Sequence, residues 1–266
     1  MSEKELESYK RDEHRVLELA MEMGKILLES GAEIFRVEDT MRRVCAHFEI
    51  KNCNFYVMGN GILSGANDRE HSTTEIRYIP ERGTQFDRIV AINQLSREII
   101  ANRCEDLDEI ERRVQEIKNM PRVPKWWCYF ASALAAGSFC LLFGGDFADT
   151  ATAFVAGFAL YLFLLNPGKH LSKIFANVCG GAIVTILCLM SYRLGLGHNL
   201  GPMMSGSILP LVPGVAFTNG IRDIGGGDYL SGTVRLLDAF WTFLCIAIGV
   251  GIVFGLYQRI TGGPIL

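Results

Sequence analysis

Charge is scarce in the second half of this 266-residue chain. Residues 1–125 hold 20 of the 26 Lys+Arg and 24 of the 29 Asp+Glu, which leaves 11 charges for 126–266. A shift that sharp marks a boundary between a soluble head and a membrane half. The net charge is only -3 and both halves are near neutral, so the basic footprint of nucleic-acid binding is missing. The eight cysteines form no CxxC, and no histidine lies at zinc spacing from them, so no metal is expected. Cys128, Cys140, Cys179, Cys188 and Cys245 fall in apolar stretches and read as small hydrophobic filler. There is no phosphate loop, because Gly59 and Gly61 alone make only a turn signal, so neither ATP coupling nor any other cofactor is expected. There is no hydrolase elbow either: Ser64 sits in GILSGA, with Ile62 where GxSxG needs glycine. His14, His47 and His71 are isolated. The charged start MSEKELESYKRDEHR leads into no apolar core, so no cleavable signal peptide is expected.

What is present in the head alternates between two periods. Val16, Leu19, Ala20, Met23, Ile26 and Leu27 recur at three and four, which predicts an amphipathic helix over Val16–Leu28, ended by Ser30-Gly31. A second helix carries the stripe Ile34, Val37, Met41, Val44 and Cys45, with Glu33, Arg36, Asp39, Arg42 and Arg43 on its other faces. NFYVMG, GILSGAN and TEIRYIP then read as a small antiparallel sheet closed by Pro80 and Gly83. Two more helices come next, Phe86–Asn102 and Leu107–Ile117. The head is thus α+β over 1–120, helix pairs around a small antiparallel sheet, with Pro121 and Pro124 in a linker at 121–125. The charged run from Arg36 through Glu38 to Arg42–Arg43 is read as a solvated helix face.

Residues 126–266 read as an all-α membrane domain of five transmembrane helices. The apolar runs are Trp126–Phe143, Ala151–Leu165, Ile174–Tyr192, Met203–Thr218 and Leu236–Tyr257. The second and fourth are near the short end of the ~17–25 residues that cross hydrocarbon. Small residues four apart, Ala133/Gly137, Ala176/Gly180 and Gly251/Gly255, mark helix-packing faces. Arg122, Lys125, Lys169, Lys173, Arg222 and Arg235 fall on one side of these spans, and only Arg193 and Arg259 on the other. By the positive-inside rule, the head and Ser2 are cytoplasmic and Leu266 is external.

The fourth run is unlike the rest. It breaks at Pro210 and Pro213, resumes after Gly214, and then delivers Thr218, Asn219, Arg222, Asp223 and Asp228 before the next apolar run. Broken backbone at membrane depth must lie in protein or line a water-filled cavity, and charges there mark substrate or ion paths. Arg222 is the candidate for a substrate carboxylate, with Asp223 its counter-ion in the empty site. The alternative is a positive-inside anchor in the cytoplasmic loop between the fourth and fifth runs. Asp238, at the start of the fifth run, reads either as a functional carboxylate or as a wet span end.

Three stretches in order, SGAEIFRVEDTMRRV, IPERGTQFDRIVAINQLSREI and LVPGVAFTNGIRDIGGGDYLSGTVRLLDA, resemble the bacterial threonine/serine exporter family in its larger, YjjP-like component. The resemblance covers nearly the whole chain. It implies an inner-membrane secondary transporter subunit, not an enzyme, that exports threonine and serine or succinate. It implies a small four-span partner subunit too, since fused members carry about twice the five spans counted here. Carried over by position, the family's motif residues are Pro213, Gly214, Asn219, Arg222, Asp223, Asp228, Ser231, Gly232 and Arg235, and in the head Gly31, Glu33, Arg36, Val37, Glu38, Arg42 and Arg43. Where relatives often carry glutamate this chain has Asp238, which keeps the charge and shortens the reach. Substrates of both kinds share a carboxylate, which an arginine or the helix N-terminus at the Pro210–Gly214 break would neutralise, and Asp223, Asp228 or Asp238 would carry any proton coupling. Two rival readings stay open: a regulatory or scaffold subunit of a transporter, and a membrane-anchored hydrolase.

Overall fold

The computed structural model describes residues 3–50, 53–67, 72–79, 83–104 and 106–261. Ser2, His71, Pro80 and Leu266 lie outside them. The chain forms two compact units, Met1–Pro121 with Val215–Leu236, and Arg122–Gly214 with Leu237–Leu266.

The first unit holds α1 (Glu3–Glu29), α2 (Ile34–His47), β1 (Cys53–Met58), β2 (Gly61–Asn67), β3 (Ser72–Tyr78), α3 (Phe86–Ile100) and α4 (Leu107–Lys118). Helix α1 starts well before its apolar stripe, because the preceding Glu, Lys, Leu and Arg residues are good helix formers and nothing interrupts them. It contacts α2, α3, α4 and β2, and buries Ala20, Met21, Met23, Leu27 and Leu28. The strands form the expected antiparallel meander in the order β1-β2-β3. Phe55, Val57, Ile62 and Ser64 are buried on one face, so Ser64 is a core residue. Tyr56 pairs with Leu63 and Leu63 with Ile76 on the other face, where Tyr56 and Ile76 are exposed.

The second unit holds α5 (Lys125–Leu142), α6 (Phe147–Leu165), a 3-10 turn Gly168–His170, α7 (Lys173–Arg193), α8 (Leu200–Ile208), a 3-10 turn Leu209–Leu211, and the later part of α10 (Tyr229–Thr261). Its core joins Cys140, Ala153, Leu160, Val184, Cys188, Met203 and Ile246. Glycine sets the approach of these helices. A methyl at Gly157 would lie 2.8 Å from the Ser132 carbonyl oxygen of α5, and one at Gly181 would lie 2.8 Å from that of Ile246 in α10. Gly137 faces α6 as expected. Gly251 and Gly255 do not pack: a methyl on either meets nothing within 4 Å, because Gly249 faces α7 instead.

Among the described residues three helices are long and apolar enough to cross a membrane: Phe147–His170, Lys173–Arg193 and Tyr229–Thr261. Counting the bent pair Leu200–Leu211 and Gly214–Gly225 as one span makes four. The expected first span, α5, falls short. It opens on Lys125 and three polar-edged rings, Trp126, Trp127 and Tyr129, and its buried face is the small set Ser132, Ala133, Ala136, Gly137 and Cys140.

The prolines do break the fourth run: α8 ends at Ile208 and the next helix, α9 (Gly214–Gly225), begins after Pro213. Beyond the break the chain is helical and not the expected loop. Asn219, Arg222 and Asp223 are on α9, and α10 begins at Tyr229, so Arg235 and Asp238 lie inside it. The polar stretch is a helical hairpin whose turn is only Gly226-Gly227-Asp228.

Candidate functional site

Helix α1 ends in a left-handed glycine, Gly31 at φ +79, where the Ala32 N–H bonds the Leu27 carbonyl and the Gly31 N–H that of Leu28. That turn leaves the Gly31 and Ala32 carbonyls directed away from α1. The next helix starts at Ile34 with Glu33 as its N-cap residue, yet the Glu33 side chain makes no capping bond. The first N–H groups of α2 therefore need an acceptor from elsewhere.

It comes from the α9–α10 hairpin. A second left-handed glycine, Gly227 at φ +92, closes α9, with the Asp228 N–H bonding the Asp223 carbonyl. Asp228 then caps α10, its carboxylate accepting from the Ser231 N–H at 3.1 Å. The two helices approach closely because of Gly220 and Gly232: a methyl at Gly232 would sit 2.8 Å from the Gly220 carbonyl oxygen.

This hairpin clasps the α1–α2 turn. Asp223 Oδ1 accepts from the Ile34 N–H at 3.3 Å, across 189 positions of sequence, and so supplies the missing cap. Its Oδ2 accepts from Arg235 Nη1 at 2.9 Å. Arg235 Nη2 donates to the Ala32 carbonyl at 3.0 Å, and Asn219 Nδ2 to the Gly31 carbonyl at 3.0 Å. Arg222 pairs with Glu33, which also holds Arg36 at 3.4 Å. The Asp223–Arg235 pair is interior, with the two side chains 1% and 12% exposed, whereas Arg222 is 59% exposed. Burying that charge is offset by two donors on the carboxylate and two acceptors for the guanidinium.

Of the residues singled out from sequence, Gly31, Glu33, Asn219, Arg222, Asp223 and Arg235 thus meet in one cluster. The expected Arg222–Asp223 pair does not form. Adjacent residues on a helix point about 100° apart, so Arg222 faces Glu33 and solvent while Asp223 faces inward to Arg235. Glu38 and Arg42 pair with each other at 3.0 Å on the exposed side of α2, beside Arg43–Asp39. Asp238 lies apart, in the second unit, where it pairs with Lys173. Pro213 precedes α9 and Gly214 opens it, and a methyl on Gly214 would meet nothing within 4 Å. Next to the clasp is a cleft of about 440 Å³ whose lining includes Phe35, Glu38, Tyr56, Asp223, Asp228 and Tyr229.

A second polar cluster lies outside the residues singled out from sequence as a site. Asp146 and Asp149 form a capping box at the start of α6, with Asp149 as N3 in place of the usual glutamate. Buried Asp149 also accepts from the His198 N–H at 2.6 Å, the Asn199 N–H at 3.0 Å and Asn199 Nδ2 at 2.8 Å. Asp146 is held below the ordinary carboxylate value, first by the Asp149 N–H and then by His198, whose ring lies 2.5 Å away and is itself raised above its usual value by that bond. Ligand atoms of Asp146, Asp149 and His198 lie within 4.8 Å of one another, as a metal would need. Four N–H donors already occupy Asp149, however, so the arrangement serves as a clamp on the start of α8. The spacing D-x-x-D before an apolar run was the available signal.

Apolar helices of bilayer length, joined in one chain to an α+β unit, mark a membrane protein. The chain matches the ThrE family, described as "Putative threonine/serine exporter", over residues 18–257, and it belongs to that family. It is therefore a transport protein and not an enzyme. It is 25% identical over 249 residues to the "Probable succinate transporter subunit YjjP" of Klebsiella aerogenes, covering 92% of this chain and 95% of that one. It is 23% identical over 250 residues to the "Probable threonine/serine exporter" of Mycobacterium tuberculosis, and 24% over 251 residues to the "Threonine/serine exporter" of Corynebacterium glutamicum. These matches cover 91% and 89% of this chain but 46% and 50% of the relatives, so the chain spans about half the length of those exporters. No solved structure matches.

Proposed function

We propose that this chain is the larger subunit of an inner-membrane exporter of small carboxylates or hydroxy-amino acids, acting with a small four-span partner. The reading rests on the convergence of the head motif and the hairpin motif on a single clasp of hydrogen bonds. Relatives named as threonine/serine exporters and as succinate transporter subunits support the two substrate classes, and the word subunit supports the partner. The head is cytoplasmic and the C-terminus external, with α5 as a fifth span, on the strength of the arginine and lysine bias between the apolar helices.

Within the clasp the two arginines divide the work. Arg235 is interior, with one hydrogen bond from each terminal amino group, and it holds the hairpin to the α1–α2 turn. Arg222 is exposed and among the described residues has a single carboxylate partner, Glu33, so a substrate carboxylate arriving there exchanges with Glu33 and needs no new charge buried. A bidentate substrate complex uses the planar fork of arginine, which lysine lacks. Export kinetics of Arg222→Lys at matched expression test this: a roughly ten- to hundredfold loss of substrate affinity is expected for the lost charged hydrogen bond. Unchanged affinity makes Arg222 an anchor and moves the site elsewhere.

A second reading, a regulatory or scaffold subunit with the pore in the partner, is favoured by the same saturation of hydrogen bonds, since a joint needs no free group. Transport by each purified subunit alone and by both together separates the two.

A further inference from the structure

We infer that the groove between the C-terminal ends of α7 and α10 is a binding site for one anionic phospholipid, its acyl chain lying between the helices and its phosphate on Arg193. The groove encloses about 300 Å³ and its walls are Ile186, Leu189, Met190, Val253, Leu256 and Ile260. Leu189 is buried and forms the floor, while Ile186, Met190, Leu256 and Ile260 are exposed rims. Seven of its eight lining residues are apolar or aromatic; the eighth is Arg193. That arginine is the last residue of α7, at the edge of a candidate span, where a headgroup lies.

The arginine is held in place rather than loose. Its Nε–H donates to the Tyr257 hydroxyl, and its guanidinium carbon lies 5.0 Å from the centre of the Tyr257 ring. Tyr257 thereby orients the plane of the guanidinium, and among the described residues both terminal amino groups are uncommitted. Among the described residues no carboxylate lies within ion-pair distance of Arg193, unlike Arg222 and Arg235, whose charges are matched. Two parallel N–H donors are the complement of two phosphate oxygens. The apolar walls add little net energy for a lipid that already lies in hydrocarbon, so they fix position and the headgroup decides preference. Basic pockets between membrane helices hold anionic headgroups on this principle. A free phosphate has no use for the walls, which is why the occupant is a lipid.

The test uses the full chain, purified in detergent and equilibrated with equal amounts of phosphatidylglycerol and phosphatidylcholine of matched acyl chains. Lipid adducts are counted by native mass spectrometry. Phosphatidylglycerol adducts are expected to predominate, and Arg193→Gln to cut that excess about tenfold, the equivalent of one charged hydrogen bond. Met190→Trp, which fills the groove and leaves the charge, is expected to reduce adducts of both lipids. Arg259→Gln, near the same helix end but outside the groove, is expected to change neither. Circular dichroism establishes that each variant is folded, and Arg193→Ala, which also removes the charge, is read if Arg193→Gln is not. An unchanged preference in the charge-removing variant that is read overturns the site. An equal loss in Arg259→Gln reduces it to general surface charge, and displacement of the lipid by inorganic phosphate alone makes it a headgroup site without a groove; each result refutes the inference.

Discussion

The Asp223–Arg235 pair gives the sharpest test of the clasp. Removing either partner leaves the other charged, interior and without its counter-ion. Breaking buried pairs of this kind costs about 3–5 kcal/mol. Arg235 keeps the Ala32 carbonyl and is 12% exposed, which places the cost of Asp223→Ala near the lower end. The same substitution also strips the Ile34 N–H of its acceptor. A loss of about 3 kcal/mol is therefore expected for Asp223→Ala and similarly for Arg235→Ala, or roughly 6–12 °C in Tm for a chain of this size. The double variant has no orphaned charge, so its loss should resemble one single variant and not the sum of two. Thermal unfolding of the four purified proteins in one detergent measures this cycle. A coupling of about 2 kcal/mol or more is expected; singles that add to within about 0.5 kcal/mol would falsify the pair as an interacting unit.

Three further outcomes are expected. Gly232→Ala places a methyl 2.8 Å from the Gly220 carbonyl oxygen and should cost about 1–3 kcal/mol through overpacking, whereas Gly251→Ala, with open space around it, should be near neutral; Tm of the two variants measures the contrast. The stabilising effect of His198, whose pKa is raised, is complete below its unfolded value of 6.5 and fades as pH rises through the folded one; that of Asp146, whose pKa is lowered, is present above 3.8 and fades only in stronger acid. The Tm difference between wild type and His198→Ala should accordingly be larger at mildly acidic than at alkaline pH, and an equal difference at both removes the ion pair from the account. A reporter fused after Leu266 should be active only in forms that work outside the cytoplasm; activity of a cytoplasm-only reporter there reverses the proposed orientation.

Much of the first unit was legible in its periods. The stripe from Ile34 to Cys45 and the alternation in NFYVMG and GILSGAN depend on local packing, and helices and strands appear where those patterns lie. The hairpin was harder to read. IRDIGGGDYLSGTVR looks like a loop because its glycines and aspartates are turn formers, and only the pair of caps at Gly227 and Asp228 turns the same letters into two helices. The membership of the clasp was visible as a set of polar residues, but its pairing was not. Which carboxylate meets which arginine depends on side-chain direction around α9, and on an α2 that begins without a cap of its own. The missing packing at Gly251 and Gly255 has a similar cause: small residues four apart permit an approach on that face, and Gly249 meets α7 instead.

The cap on α2 has a consequence for how the chain is made. Ile34 leaves the ribosome 189 residues before the carboxylate that accepts its N–H. At synthesis rates of about 5–20 residues per second, that is a wait of roughly 10–40 s. Throughout it the α1–α2 turn has water in place of Asp223, Arg235 and Asn219, while the apolar helices of the second unit are being threaded. The last contacts of this unit are therefore made by residues that emerge only after α5 to α8. A nascent chain stalled before residue 223 should present an open α1–α2 turn to proteases and quality-control factors, and completion of the hairpin should close it.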